Sequence, residues 1–147
     1  MTRGRKTLLV AVIAIAGVVG WAAHSLFTLD IREAYAAWDT GTLLVEYMKQ
    51  HDDRWPKSWD DLLTVLGPND DHKIPLRGSR ADMTDPEYAR SLREKIAVDW
   101  AFDPAHPGAR NPVTRPDGGA FRLVWEEPNE MVRSYLSDAS TRPSAGH

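Results

Sequence analysis

The stretch HDDRWPKSWDDLL, which begins at His51, contains the residue types of a metal site. Asp52 and Asp53 follow the histidine directly, and a second acidic pair, Asp60 and Asp61, comes later in the same stretch. Imidazole nitrogens and carboxylate oxygens bind zinc, calcium or manganese, so these side chains are the first candidates for chemistry. Their spacing matches neither the His-Glu-x-x-His pattern of zinc enzymes nor the alternating oxygens of a calcium loop.

The same residues also fit a packed corner between two helices. His51 follows Met48 by three positions and extends an apolar helical stripe, which favours a packed histidine at a helix end over a metal ligand. Ser58 precedes Asp61 by three positions, the pattern of a helix start, and carboxylates in that first turn oppose the positive helix end. We therefore predict a structural corner, closed by Trp55 and Trp59, that binds no metal.

Outside this corner the candidates for chemistry are scattered. His72 and His106 lie in polar loops near prolines, and a long Pro- and Gly-rich loop contains Asp103, Asn111 and Asp117, whose oxygens could bind calcium. An ordinary surface loop is the simpler interpretation. The chain has no cysteine, which excludes disulfides and Cys-ligated zinc or iron–sulfur sites. With no Gly-rich phosphate loop or nucleophile elbow in the sequence either, we predict no catalytic, cofactor-binding or metal-binding residue and no enzymatic activity.

An apolar run near the amino terminus predicts a membrane protein. Residues 8–29, LLVAVIAIAGVVGWAAHSLFTL, include no Lys, Arg, Asp or Glu. As a helix they would extend about 33 Å, enough to cross about 30 Å of hydrocarbon, so we predict a transmembrane helix. Arg3, Arg5 and Lys6 precede the run and predict a cytoplasmic basic tail at 1–7. The bulk of the chain would then lie outside the cytoplasmic (inner) membrane.

Two features of this segment leave alternatives open. Small residues at Gly20 and Ala22 also fit the cleavage of a signal peptide, which would release a secreted domain. Ala16 and Gly20 lie four residues apart, a spacing that allows close contact between membrane helices. The expected partners are therefore the lipid bilayer and either another protein or a second copy bound through the N-terminal helix.

The charge balance argues against nucleic acid as a partner. The formal net charge is −3, and removing the cations of the basic tail leaves 15 basic against 21 acidic residues, a balance of −6. Phosphate backbones and anionic lipid surfaces attract basic patches, so neither is expected to bind the remainder of the chain.

Residues 30–137 predict an extracytoplasmic α+β domain. A helix over 30–51 should continue from the anchor, and Gly41 within it suggests a close neighbour. The apolar face of this helix is predicted to contain Ala34, Ala37, Trp38, Gly41, Leu44, Val45 and Met48.

Shorter elements are expected after the corner. A helix is predicted at 59–66, with Trp59 at its start, Gly67-Pro68 as the stop, and an inner face of Leu62, Leu63 and Leu66. A second helix is predicted at 86–94. A third is predicted near the end of the chain, with Met131, Val132, Tyr135 and Leu136 at helical spacing. Two antiparallel strands are predicted from residues of alternating polarity, one with Ile96, Val98, Trp100 and Phe102 inward and one with Phe121, Leu123 and Trp125 inward, joined by the loop 103–119. The tail 138–147 is predicted to be disordered.

This order of elements resembles a known family. A basic start and a membrane helix with an amphipathic half lead into a turn and an antiparallel sheet, and the turn is written Tyr47…Trp55-Pro56-x-Ser58-x-x-Asp61-Leu62. The arrangement over residues 8–66 resembles that of type IV pilins and type II secretion pseudopilins. In that family a glycine cleavage site is followed by a glutamate five residues into the mature chain, whereas here Gly4 is followed by Leu9 at that position.

The resemblance implies a pilin-like domain, and the departure from its cleavage pattern at Leu9 implies that the anchor is retained. For Asp103 and Asp117 the resemblance implies the calcium that some pseudopilins hold in a sheet loop. The function expected first is that of a membrane-anchored interaction or scaffolding protein. A pseudopilin-type subunit of a secretion or filament system is one alternative. A small extracytoplasmic enzyme or secreted domain is the other.

Overall fold

The computed structural model describes residues 17, 19, 31–67, 74–79, 85–108 and 110–141. The chain divides into two units, Met1–Arg32 and Glu33–His147. Among the described residues, no helix is both long enough and apolar enough to cross a bilayer. The predicted span at 8–29 lies outside them, apart from the helical residues Gly17 and Val19, and it stays a prediction.

Helix α1, residues 31–50, confirms the helix that was predicted over 30–51. Its buried surface is wider than the predicted stripe and includes Ala34, Ala36, Ala37, Asp39, Thr40, Gly41, Leu43, Leu44, Tyr47 and Met48. The predicted close neighbour of Gly41 is present, because a Cβ built at this position would lie 2.8 Å from Met131 Sδ and 3.0 Å from Pro128 Cα.

Three further helices and one small sheet complete the described fold. The helices are α2 at Trp59–Leu62, which runs into a 3-10 turn at Leu63–Leu66, α3 at Asp85–Leu92 and α4 at Pro128–Thr141. Strands β1, Ala97–Val98, and β2, Val113–Thr114, pair antiparallel, with Ala97 opposite Thr114 and Val98 opposite Val113. The α+β class is therefore confirmed.

Buried side chains of α1 share one hydrophobic core with buried residues of α2, the 3-10 turn, α3, β2 and α4 and of the segments between these elements, and the partly buried Val98 of β1 packs against this core. Outside α1 the core includes Trp55, Leu62, Val65, Leu66, Ile74, Leu76, Tyr88, Ala89, Leu92, Ile96, Phe102, Val113, Val132 and Tyr135.

The predicted second strand at Phe121–Trp125 is wrong, and so is the predicted loop at 103–119, which contains β2. Leu123 and Trp125, expected inward, are exposed by 37% and 50%. The first strand is also shorter than predicted, since Asp99 turns the chain by accepting hydrogen bonds from the backbone N–H groups of Ala101 and Phe102. Val98 is therefore the last paired residue of β1.

The side chain of Asn129 stabilises β2 in a way that no strand pattern reveals. Its Oδ1 accepts a hydrogen bond from Val113 N at 2.8 Å, and its Nδ2 donates to Val113 O at 2.9 Å. The buried amide thus satisfies both backbone groups on the side of Val113 that faces away from β1. A helix residue therefore makes the hydrogen bonds that a third strand beside β2 would otherwise make.

Helix α4 extends further than predicted. It reaches Thr141, so residues 138–141 are helical although the sequence predicted a disordered tail from 138 onward. Ser140 and Thr141 donate their hydroxyl protons to the backbone oxygens of Ser137 and Asp138, which satisfies carbonyl groups in the last turn. Residues 142–147 lie outside the described part of the chain.

Candidate functional site

The corner after α1 is built around Asp61. Ser58 caps α2 as predicted, accepting a hydrogen bond from Asp61 N at 3.1 Å, and Asp60 and Asp61 occupy the first turn. Asp61 Oδ2 accepts two more hydrogen bonds, from Tyr47 OH at 3.0 Å and from Lys57 N at 2.8 Å. Burial, and then the neighbouring Asp61 carboxylate, raise the pKa of Tyr47. Asp61 therefore ties α1 to α2 through bonds within the protein.

His51 packs at the end of α1, as predicted. Its ring stacks on Tyr47 with centroids 4.0 Å apart and planes 7° apart. Nδ1 lies 2.9 Å from Tyr47 O, the carbonyl that an additional helical turn would have used. The imidazole therefore closes the helix end.

Asp52 and Asp53, which the sequence left without a role, form the turn itself. Their φ angles of 54° and 60° lie in the left-handed region, which Asp adopts more readily than most side-chain-bearing residues. Asp53 N donates to Met48 O at 2.9 Å, and Asp53 Oδ1 accepts a hydrogen bond from Tyr135 OH on α4. Asp52 is exposed.

Two tryptophans close the corner to different extents. Trp55 is 8% exposed, contacts Phe102 edge-on and donates from Nε1 to Asp99 O at 2.9 Å. Trp59 is half-buried and meets Trp100 edge-on at a centroid distance of 5.6 Å. Across the described residues, no group of three or more His, Asp or Glu side chains is placed to hold a metal ion.

The candidates in the long loop are not brought together. Asp103 pairs with His106 at 2.8 Å, and this bond lowers the pKa of the exposed Asp103 carboxyl. Asn111 accepts a hydrogen bond from Arg133, while Asp117 contacts Arg115 at 3.3 Å. Each side chain therefore has a separate protein partner. His72 lies outside the described residues.

Sequence reasoning missed a buried carboxylate on α1. Asp39 is fully buried and accepts three hydrogen bonds: from Arg77 N to Oδ1 at 2.7 Å, and from Gly78 N and Tyr88 OH to Oδ2, each at 2.8 Å. Burial raises the pKa of Asp39 despite these donors, and burial also raises the pKa of Tyr88. The only hint in the sequence that Asp39 is buried was its position directly after Trp38, which was predicted to lie on the apolar face of the helix.

Gly78 makes the approach to Asp39 possible. A Cβ at this position would lie 2.0 Å from Tyr88 Oη and 3.1 Å from Asp39 Oδ2. The loop residues 77–78 can therefore reach the carboxylate only without a side chain at Gly78. With every donor supplied by the protein and no solvent exposure, Asp39 fastens a loop and a helix to α1 rather than meeting a substrate.

Aromatic side chains also gather at the surface of the same unit. We call Tyr35, Trp38 and Trp125 the aromatic surface. The Trp125 ring lies 4.8 Å from the Tyr35 ring and 6.5 Å from the Trp38 ring, measured between centroids. The guanidinium carbon of Arg77 lies 4.6 Å from the centroid of Trp38. Half of Trp125 is open to solvent, whereas Tyr35 and Trp38 are half-buried.

Comparison of the chain with protein-family models, with curated proteins and with solved structures finds no match.

Proposed function

We propose that this protein is a single-pass membrane protein whose α+β domain lies outside the cytoplasmic membrane and serves in interaction or scaffolding, without catalysis. The observation that carries the proposal is the uncharged run at residues 8–29. It is long enough to cross a bilayer as a helix, and the cations before it favour an N-terminus in the cytoplasm.

The short stretch of sequence between the predicted anchor and the unit Glu33–His147 supports a domain held close to the membrane. This unit begins at Glu33, four residues after Leu29. Four residues span at most about 14 Å in any conformation. The domain would therefore stay at the membrane surface, where a scaffold can present one face to its neighbours.

The bonding of the described titratable groups supports a structural role for the domain. Asp61 joins α1 to α2, Asp39 fastens residues 77–78 to α1, and Asp53 joins the corner to α4. General acid or base catalysis requires a titratable atom within reach of a substrate. These carboxylates instead direct their oxygens to donors of the protein.

The order of elements favours a pilin-like domain and, as a second candidate, a pseudopilin-type subunit. The order of a helix, a capped corner and, beyond α3, an antiparallel strand pair supports this proposal. N-terminal sequencing of the native chain separates the two, because cleavage after Gly4 would expose Arg5 as the first residue. An intact or Met-processed N-terminus would favour the permanently anchored scaffold.

Topology can be tested with single cysteines because the chain has none of its own. Ser137→Cys places a thiol on an exposed position of α4, and Thr2→Cys places one in the basic tail. A membrane-impermeant maleimide applied to spheroplasts should label the first variant and leave the second unlabelled until the membrane is opened. The reverse pattern would contradict the proposed orientation.

Association can be tested with the same strategy. A cysteine scan of residues 12–22 in native membranes should give disulfide-linked dimers at helical intervals around Ala16 and Gly20 if copies meet through this segment. A linked species of another mass at those positions would indicate a different protein partner. Failure to obtain any linked species, with the chain shown to be in the membrane, would contradict an interaction role through this segment.

A further inference from the structure

Exposed apolar side chains of the folded unit are concentrated at one place. In the described part of Glu33–His147, the large hydrophobic side chains that are exposed are Leu123 and Trp125, two residues apart on the segment between β2 and α4. Isolated exposed apolar residues are common on soluble proteins, so these two residues gain weight only through the other aromatic rings that Trp125 contacts. The aromatic surface includes one of these two residues.

The aromatic surface is held in place by its own packing. Trp125 rests on Tyr35 at 4.8 Å, and Tyr35 and Trp38 project from neighbouring turns of α1. Arg77 stands over Trp38, which adds a cation whose side chain can reach toward a polar layer. Amphipathic rings of Tyr and Trp beside a long cationic side chain are the composition found where proteins meet the headgroup layer of a membrane.

The length of chain between the anchor and this surface limits their separation. Tyr35 follows Leu29 by six residues, which span at most about 22 Å in any conformation. The headgroup layer adds about 5–8 Å outside the hydrocarbon on each side of the bilayer. The membrane is therefore the one large partner that is always within reach of the aromatic surface.

We propose, resting on the proposed membrane anchor, that Tyr35, Trp38 and Trp125 lie in the headgroup layer of the membrane that holds residues 8–29. Because the chain beyond the basic tail is acidic by −6, the attraction comes from the aromatic rings and does not require anionic lipid. The contact would fix the side of the domain that faces the membrane and leave the opposite side for a protein partner.

The test uses the full chain reconstituted in phosphatidylcholine vesicles, with a part of the lipid brominated near the headgroup end of its acyl chains. Bromine quenches tryptophan fluorescence at short range, and comparison of each Trp→Phe variant with the unsubstituted chain isolates the quenching of one ring. Trp125→Phe reports the proposed contact. Trp100→Phe is the matched control, because Trp100 is half-buried and packs against Trp59, apart from the aromatic surface.

Trp21, within the apolar run, reports the anchor separately. The proposal expects quenching of Trp21 and Trp125 and none of Trp100. Quenching of Trp21 without Trp125 would overturn the lipid contact and leave the anchor standing. In that case aqueous acrylamide shows whether the Trp125 ring is open to water or covered by protein. Absence of quenching at Trp21 would overturn the anchor and the lipid contact together.

Circular dichroism of each variant checks that the exchange of one ring for another has preserved the fold. If Trp125→Phe proves unfolded, Arg77→Cys with a lipid-sensitive fluorophore on the thiol measures the same surface from the exposed side of Trp38. An emission spectrum of the probe in vesicles that matches that of the fluorophore in water would contradict the contact.

Discussion

Replacement of Asp39 by asparagine should destabilise the domain because it puts an NH₂ donor where a carboxylate oxygen accepts a hydrogen bond. Both carboxylate oxygens of Asp39 accept hydrogen bonds, from the backbone N–H of Arg77 on one side and of Gly78 on the other. Asparagine offers one oxygen and one NH₂ group. In either orientation of the amide, one backbone N–H then faces another donor.

The cost follows from leaving one buried donor unsatisfied, which is about 1–3 kcal/mol. The hydroxyl of Tyr88 does not change this result, because it can donate to an oxygen or accept from an NH₂ group at the same position. We therefore expect Asp39→Asn to lower the free energy of unfolding by about 1–3 kcal/mol. Asp52→Asn is the matched control, since Asp52 is exposed and asparagine tolerates its positive φ angle.

Urea unfolding of the full chain in a mild non-ionic detergent, followed by near-ultraviolet circular dichroism of the aromatic residues, measures both variants. Hydrogen exchange at Arg77 N and Gly78 N gives a local measurement and should accelerate for at least one of them in Asp39→Asn. A change in the free energy of unfolding below about 0.5 kcal/mol for Asp39→Asn would refute the reasoning.

The pH dependence of the same comparison has a definite sign. Burial raises the pKa of Asp39 in the folded protein above that of the unfolded chain, so protonation favours the folded state. The stability that this carboxyl contributes is fully present below about pH 4, the ordinary Asp range, and decreases as the pH rises through the raised folded pKa. The stability difference between the unsubstituted chain and Asp39→Asn should therefore be larger at low pH. A difference that grows with rising pH would contradict the burial effect.

Further predictions concern the corner, the helix packing and metal binding. Ser58→Ala should lower the free energy of unfolding by about 1 kcal/mol through the lost cap. Trp59→Ala should lower it by about 1–3 kcal/mol, less than the loss of a fully buried ring, because Trp59 is half-buried. A change below about 0.5 kcal/mol for Trp59→Ala would show that this ring does not close the corner. Gly41→Ala should be destabilising by up to about 2 kcal/mol net. The new methyl group meets the backbone of Pro128 at an overpacking cost of about 1–3 kcal/mol, of which the gain of about 1 kcal/mol in helix propensity offsets a part. A more stable variant would contradict that close contact. Calorimetric titration of the chain with zinc, calcium and manganese should give no saturable heat, and a one-to-one isotherm abolished by His51→Ala would turn the corner into a metal site.

The helices could be predicted because their signals are local in the sequence. The apolar spacing along 31–50 repeats over several turns, and Ser58 with Asp61 marks a helix start within four residues. The roles of only some of the aspartates at the corner could be predicted. The place of Asp60 and Asp61 in the first turn of α2 follows from the Ser58 cap, whereas the role of Asp53 depends on Tyr135, 82 residues away in the chain.

The strands and the buried carboxylate could not be predicted for the same physical reason. Phe121, Leu123 and Trp125 alternate as in a strand, but their conformation depends on tertiary contacts, and the amide of Asn129 supplies hydrogen bonds to β2 that a neighbouring strand would have made. Asp39 is buried because donors 38 and 49 residues further along the chain converge on it. No periodicity in the sequence encodes such a convergence.

The measurement that tests the membrane anchor most directly is alkaline carbonate extraction of membranes that contain the full chain. Carbonate at high pH releases peripheral and enclosed proteins and leaves transmembrane segments in the bilayer. With residues 8–29 inserted, the chain should remain in the membrane pellet at its full length of 147 residues. Recovery of a shortened, soluble chain beginning near Ala23 would contradict the anchor and establish a cleaved signal peptide instead.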